Sequence, residues 1–154
     1  ISILAERAGL HGMIGGQVMD LSFEKNKPDL DLLRAMYIKK TGCLISAAAE
    51  IGAIIGGATD EEVTIAKNYA VNLGLAFQII DDILDVTGDE AVLGKPIGSD
   101  DENGKTTFVT LLGLEKAKTV AKELTDEALG LLSMLSGDTT NLKLITSYLL
   151  ERNY

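Results

Sequence analysis

The run FQIIDDILD, residues 77–85, sets Asp81, Asp82 and Asp85 in an otherwise apolar stretch that contains no Lys or Arg. Asp81 and Asp85 are one helical turn apart, so on a helix they share a face, where like charges repel unless something compensates. Three carboxylates with no Cys or His beside them make a hard oxygen site, which favours magnesium over zinc or iron. Magnesium holds few protein ligands and shares its other positions with water and phosphate oxygens, which implies a phosphorylated substrate. Such a substrate needs cationic partners as well. Lys40, Lys95 and Lys105 lie in segments flanked by Gly, Thr or Ser, where pliant backbone lets an ammonium reach an anion. A bare DDxxD would suit a solvated helix end equally well, with the lysines as ordinary surface charges. That alternative weakens here because Phe77, Ile79, Ile80, Ile83 and Leu84 crowd the same segment and leave little room for a fully solvated face.

The elements that must position these groups are helical. Apolar residues recur at spacings of three and four almost throughout, and no alternating run of β-branched residues appears, so the chain reads as all-α. A first helix is expected over 1–21. Its Gly9, Gly12, Gly15 and Gly16 are costly in a helix interior unless another backbone packs close. After a turn at Pro28, a helix from about Leu30 runs to Lys39-Lys40-Thr41-Gly42, with a break or kink expected near Gly42, and a second apolar segment follows from Cys43 to Ala58. Thr59-Asp60-Glu61-Glu62 has the chemistry of a helix start and opens a long helix to about Val86. The three carboxylates then sit at the C-terminal end of that helix, where its dipole is already negative. The stretch TGDEAVLGKPIGSDDENGK, 87–105, reads as a long loop of the kind usually tied to function. Two more helices are expected, at about 114–135 and 139–152, separated by Ser136-Gly137-Asp138.

Composition narrows the classes. With 154 residues, 46% of them hydrophobic, the chain can bury a real core as one domain, and its start at Ile1 suits a processed or truncated chain. A formal charge of -9 with no basic run argues against a nucleic-acid surface. The lone Cys43 cannot form an internal disulfide, fits a reducing compartment and reads as a small packed side chain, and the lone His11 reads as packing or surface rather than catalysis. The most apolar stretch, LISAAAEIGAIIGGA, carries Glu50 and falls short of the roughly 20 residues needed to cross a bilayer, so an integral membrane protein is not expected. A cytoplasmic location follows as the expectation.

Five separated motifs, GMIGGQVMDL, KTGCLISAAAEIGA, GLAFQIIDDILDVTGD, LGKPIGSDDENGKTT and SYLLERNY, together resemble the second half of the short-chain trans-polyprenyl diphosphate synthases, bacterial farnesyl diphosphate synthases nearest among them. The resemblance covers essentially the whole chain. It implies the isoprenoid synthase fold, a single domain of mostly antiparallel helices around a deep cavity, of which this chain is the C-terminal half. It implies a homodimer that condenses isopentenyl diphosphate with an allylic diphosphate to give farnesyl diphosphate. By resemblance Asp81, Asp82 and Asp85 bind magnesium, Lys40 and Lys95 contact the allylic diphosphate, and Lys105 helps close the site. Thr41 and Gln78 turn oxygens toward the developing allylic cation, Phe77 packs beside the homoallylic substrate, and Asp100 lies behind the lysines. The family's first aspartate-rich motif, the arginine pair after it and the basic residues that bind isopentenyl diphosphate have no counterpart in this sequence. The 154 residues by themselves are therefore expected to be inactive. Residues that set product length precede that first motif, so geranyl and geranylgeranyl products stay open.

A different class, a noncatalytic or regulatory subunit of a heteromeric synthase, is disfavoured because Asp81, Asp85, Lys40 and Lys95 are all retained. A di-iron carboxylate bundle would need Glu-x-x-His pairs, and His11 has no Glu three residues before it.

Overall fold

The computed structural model describes residues 1–88, 100 and 104–150. Among them there are helices α1 (Ser2–Ala8), α2 (Met13–Phe23), α3 (Leu30–Tyr37), α4 (Cys43–Ile55), α5 (Asp60–Thr87), α6 (Phe108–Leu112), α7 (Leu114–Leu132) and α8 (Thr140–Leu150), with no strand. The all-α expectation holds. No described helix is long and apolar enough to cross a membrane.

The start of α5 follows from its first residues. Thr59 accepts the N–H of Glu62 and Glu62 accepts the N–H of Thr59, so two of the otherwise unpaired N–H groups of the first turn are satisfied reciprocally. Glu62 also accepts the hydroxyl and backbone N–H of Ser136, which ties this end to the α7–α8 connection. These donors, Ser136 first, hold its carboxyl down at about 2. The helix then runs through the centre of the bundle with α7 and α4 on its flanks. Its buried residues Ile65, Tyr69, Leu73, Ala76 and Ile79 recur every three or four positions, the stripe that a helix packed on both sides requires.

Two expected boundaries differ. The single helix expected over 1–21 is two helices, because the backbone leaves the helical path between Ala8 and Met13. Gly12 has non-helical dihedrals (φ -115°, ψ -127°), and a Cβ there would lie 1.8 Å from the carbonyl oxygen of Arg7, which only glycine tolerates. Near Gly42, where a break or kink was expected, the helix is irregular but not broken. Residues 38–42 form a π-helical turn that joins α3 to α4, and the flanking Tyr37 and Cys43 keep helical dihedrals. One extra residue in a helical turn widens it without ending the helix, and such turns often sit at functional sites. Lys40 and Thr41 lie in this one.

Glycines bring neighbouring backbones onto the π turn from two sides. A Cβ on Gly16 of α2 would lie 2.3 Å from the backbone nitrogen of Lys40, and one on Gly74 of α5 would lie 2.8 Å from the Cα of Gly42. The close packing expected of the glycine-rich first segment is thus realised at Gly16. The short helix α6 was not anticipated. Thr107 starts it by accepting the N–H of Thr110, and Gly113 ends it at φ 81°, a left-handed value that favours glycine. Residues 89–99, including Lys95, and 101–103 lie outside the described residues, as does the end of the SYLLERNY motif.

Candidate active-site cleft

Beside the π turn opens a cleft of about 260 Å³ between α2, the end of α3, the C-terminal half of α5 and the segment before α6. Helix α2 contributes Asp20, one turn beyond the Gly16 contact, and the π turn contributes Lys40, whose Nζ lies 2.6 Å from the Asp20 carboxylate. Gln78, Asp81 and Asp82 come from α5, and Asp100 and Lys105 both come from the chain before α6. Lys105 donates to Asp100 at 2.8 Å, and this hydrogen bond raises its pKa.

The three carboxylates of the DDxxD run have different surroundings. Asp81 lines the cleft. Asp82 follows Leu75 and Ile79 along the buried stripe of α5 and is itself only 6% exposed. It is met there by donors from two other helices: the Tyr37 hydroxyl reaches its two oxygens at 2.8 and 3.0 Å, and the Phe108 N–H reaches Oδ2 at 2.9 Å. Loss of water still dominates, so its pKa is pushed up to about 7. Burial, together with the adjacent carboxylate, raises the Tyr37 hydroxyl well above its usual value, so it stays a donor. Asp85 is 2% exposed and accepts the backbone N–H of Asp100, which anchors that residue to α5. Among the described residues, no three acidic, histidine or cysteine side chains converge as a ready-made metal cage.

The structure therefore brings Lys40, Gln78, Asp81, Asp82, Asp100 and Lys105 to one cleft. Thr41 and Phe77 are half-buried next to two of these residues and are not among its lining. Lys95 lies outside the described residues. Sequence reasoning passed over Asp20, Glu24 and Tyr37, all of which line the cleft. A signal existed for the first two, since acids at 20 and 24 share a helix face just as 81 and 85 do.

The cleft's charges limit its chemistry. Asp20, Glu24, Asp81 and Asp100 outnumber Lys40 and Lys105 among the described lining residues, and both lysines are already paired with acids. No His or Cys lines it. The donor set is hard oxygen, which fits magnesium with most of its coordination left to an anionic ligand and water.

Comparison with known proteins agrees with this picture. The sequence model of the polyprenyl synthetase family matches residues 2–141. The chain is 44% identical over 157 aligned residues to the farnesyl diphosphate synthase of Escherichia coli, an alignment covering 99% of this chain and 52% of that protein. The geranyltransferase of Helicobacter pylori, crystallised with magnesium and isoprenyl diphosphate, superposes with a TM-score of 0.79 at 38% identity over 97% of this chain and 49% of its own. The geranylgeranyl pyrophosphate synthetase of Pyrococcus horikoshii superposes with a TM-score of 0.89 at 27% identity, over 98% of this chain and 57% of its own. The chain spans about half the length of these relatives.

Proposed function

Because the chain belongs to the polyprenyl synthetase family, with the isoprenoid synthase fold of its structural relatives, we propose that it carries the allylic-substrate half of a magnesium-dependent prenyltransferase active site. The observation that carries this reading is the charge of the cleft. A diphosphate would meet more carboxylates than ammonium groups there, and the two described lysines are held by Asp20 and Asp100. Such an anion is accommodated only when added cations take up the acids, after which Lys40 and Lys105 can be shared with it.

In this reading the diphosphate of an allylic substrate lies between Lys40 and Lys105, and Lys95 joins them from the segment before Asp100. Asp81 is the acid of the motif that we assign to the metal. Magnesium, when bound, supplies the positive charge that stabilises the departing diphosphate. The allylic carbon–oxygen bond breaks with its electron pair leaving on that diphosphate. The double bond of isopentenyl diphosphate then attacks the cation, and the proton lost from the adduct passes to the released diphosphate. Gln78, which lines the cleft, offers its amide oxygen to the positive charge without capturing it. Thr41, beside Lys40, and Phe77, beside Gln78, are assigned to the same neighbourhood by resemblance: a hydroxyl dipole toward the cation and a ring beside the homoallylic substrate.

Farnesyl diphosphate is the product we assign, supported by the identity to the Escherichia coli synthase. A geranylgeranyl product is the second reading, favoured by the likeness to the Pyrococcus horikoshii enzyme. A homodimer in the cytoplasm belongs to the same proposal, as does inactivity of the 154 residues alone. The test is incubation of the intact gene product with isopentenyl diphosphate, magnesium and dimethylallyl, geranyl or farnesyl diphosphate, followed by product chromatography. A fifteen-carbon product supports the assignment, a twenty-carbon product supports the second reading, and no elongation from any starter refutes both.

A further inference from the structure

Both carboxylate oxygens of Asp82 are met by protein donors from other helices. The Tyr37 hydroxyl spans both oxygens from the end of α3, and the Phe108 N–H reaches one from the start of α6. The contact closes on itself, because the Phe108 ring stacks on the Tyr37 ring with centroids 5.7 Å apart and planes at 27°. Three chain segments far apart in sequence thus meet at one buried carboxylate. Each carries a neighbour that faces the cleft: Lys40 lies three residues after Tyr37, Asp81 directly before Asp82, and Lys105 three residues before Phe108. A carboxylate held this way has little freedom to turn toward a metal, and its removal would release all three segments.

We infer that Tyr37 and Asp82 are a positioning pair, not metal ligands, which fixes Lys40, Asp81 and Lys105 relative to one another on the cleft floor. The inference rests on the transferase reading for its consequence in turnover, but the assignment of Asp82 can be tested apart from it.

The experiment compares Asp82→Asn, Tyr37→Phe and Asp81→Asn in the intact gene product. Asn is close in shape to Asp and can still accept the Phe108 N–H through its oxygen while donating its amide to the Tyr37 oxygen. Calorimetric titration of magnesium in the presence of inorganic diphosphate supplies a readout independent of turnover. For Asp82→Asn we expect magnesium affinity within threefold of the parent, and a larger loss overturns the inference by making Asp82 a ligand. For Tyr37→Phe, which deletes only the hydroxyl, we expect unchanged magnesium affinity with kcat lowered at least fivefold. An unchanged kcat would reduce the hydroxyl to a structural role and overturn the pair. The double variant should lose no more kcat than the worse single variant, as groups acting as a unit do, and additive losses also count against the pair. Asp81→Asn should weaken magnesium more than tenfold. If it does not, or if the parent turns over no prenyl substrate, the transferase reading fails while the Asp82→Asn titration still decides the assignment of Asp82.

Discussion

Gly16→Ala tests whether the π turn is held where the cleft needs it. A Cβ at position 16 would lie 2.3 Å from the backbone nitrogen of Lys40, 2.7 Å from its Cα and 2.8 Å from the carbonyl carbon of Lys39, where ordinary contact begins at 3.4 Å. The two backbones must therefore separate by about 1 Å, and neither contact is a flexible side-chain end that could swing aside. Overpacking of this kind costs about 1–3 kcal/mol, against which alanine returns about 1 kcal/mol of helix propensity, for a net loss of up to about 2 kcal/mol. Because the displaced residue is Lys40 itself, and Asp20 rides on the displaced helix, kcat should fall as well, by roughly 10–100-fold for a shift of about 1 Å. The control is Gly130→Ala in α7, where a Cβ meets nothing within 4 Å. That substitution should stabilise the protein by about 0.5–1 kcal/mol and leave turnover unchanged. Thermal unfolding of the intact gene product reads the difference, at about 2–4 °C for each kcal/mol. If Gly16→Ala raises the melting temperature as Gly130→Ala does, α2 does not press on the π turn and the account of how Lys40 is placed is wrong.

Other expectations concern charge, metal and completeness. Glu62 has its folded pKa lowered to about 2 by Ser136 and Thr59, so the stability it contributes is present above its ordinary value near 4.5 and disappears as pH falls toward 2. Glu62→Gln should therefore melt below the parent at pH 7, with the gap closing between pH 4.5 and 2; a gap that persists at the acid end would show that the charge is not what matters. Thr59→Ala, which removes the other half of the capping box, should cost about 1 kcal/mol in unfolding experiments. Removing magnesium with a chelator should abolish turnover of the intact gene product and restoring it should recover the activity, with full turnover in chelator counting against the metal assignment. The 154-residue chain expressed alone should show no prenyl transfer in a radiolabel assay, since orientation of a second substrate by facing residues supplies much of the rate; turnover matching that of the intact gene product would refute this.

Much of the fold was legible because the dominant element obeys local rules. The Thr59–Glu62 box and the three-and-four spacing from Ile65 to Ile79 are written in consecutive residues, and the observed Asp60–Thr87 differs from expectation only at its ends. What could not be read locally were features created by another segment. Gly12 and Gly16 look alike in sequence, yet one lets the turn between α1 and α2 pass close to the Arg7 backbone and the other admits the backbone of Lys40, 24 residues away. The π turn escaped notice for the same reason. Gly42 suggests a break or kink, and what forms there is a widened but continuous helical turn onto which Gly74 of α5 packs closely.

The DDxxD run shows how the site follows from this. Its acids share one helix end and one chemical type, so residue types and spacing alone assign them one role. Helical phase gives them different surroundings: the stripe of Leu75 and Ile79 continues onto Asp82, which is buried where it meets the cleft, while Asp81 lies about 100° round the axis from it and also lines the cleft. Negative charge at the C-terminal end of a helix is unfavourable in any case, and at Asp82 it is also deprived of water. The protein answers with the Tyr37 hydroxyl and the Phe108 N–H, and at Asp85 with the N–H of Asp100. These donors come from the same segments that carry Lys40 and Lys105. The contacts that make buried carboxylates tolerable are thus also the contacts that bring the cations to the cleft, and a sequence read one element at a time cannot reveal that both needs are met by one set of bonds.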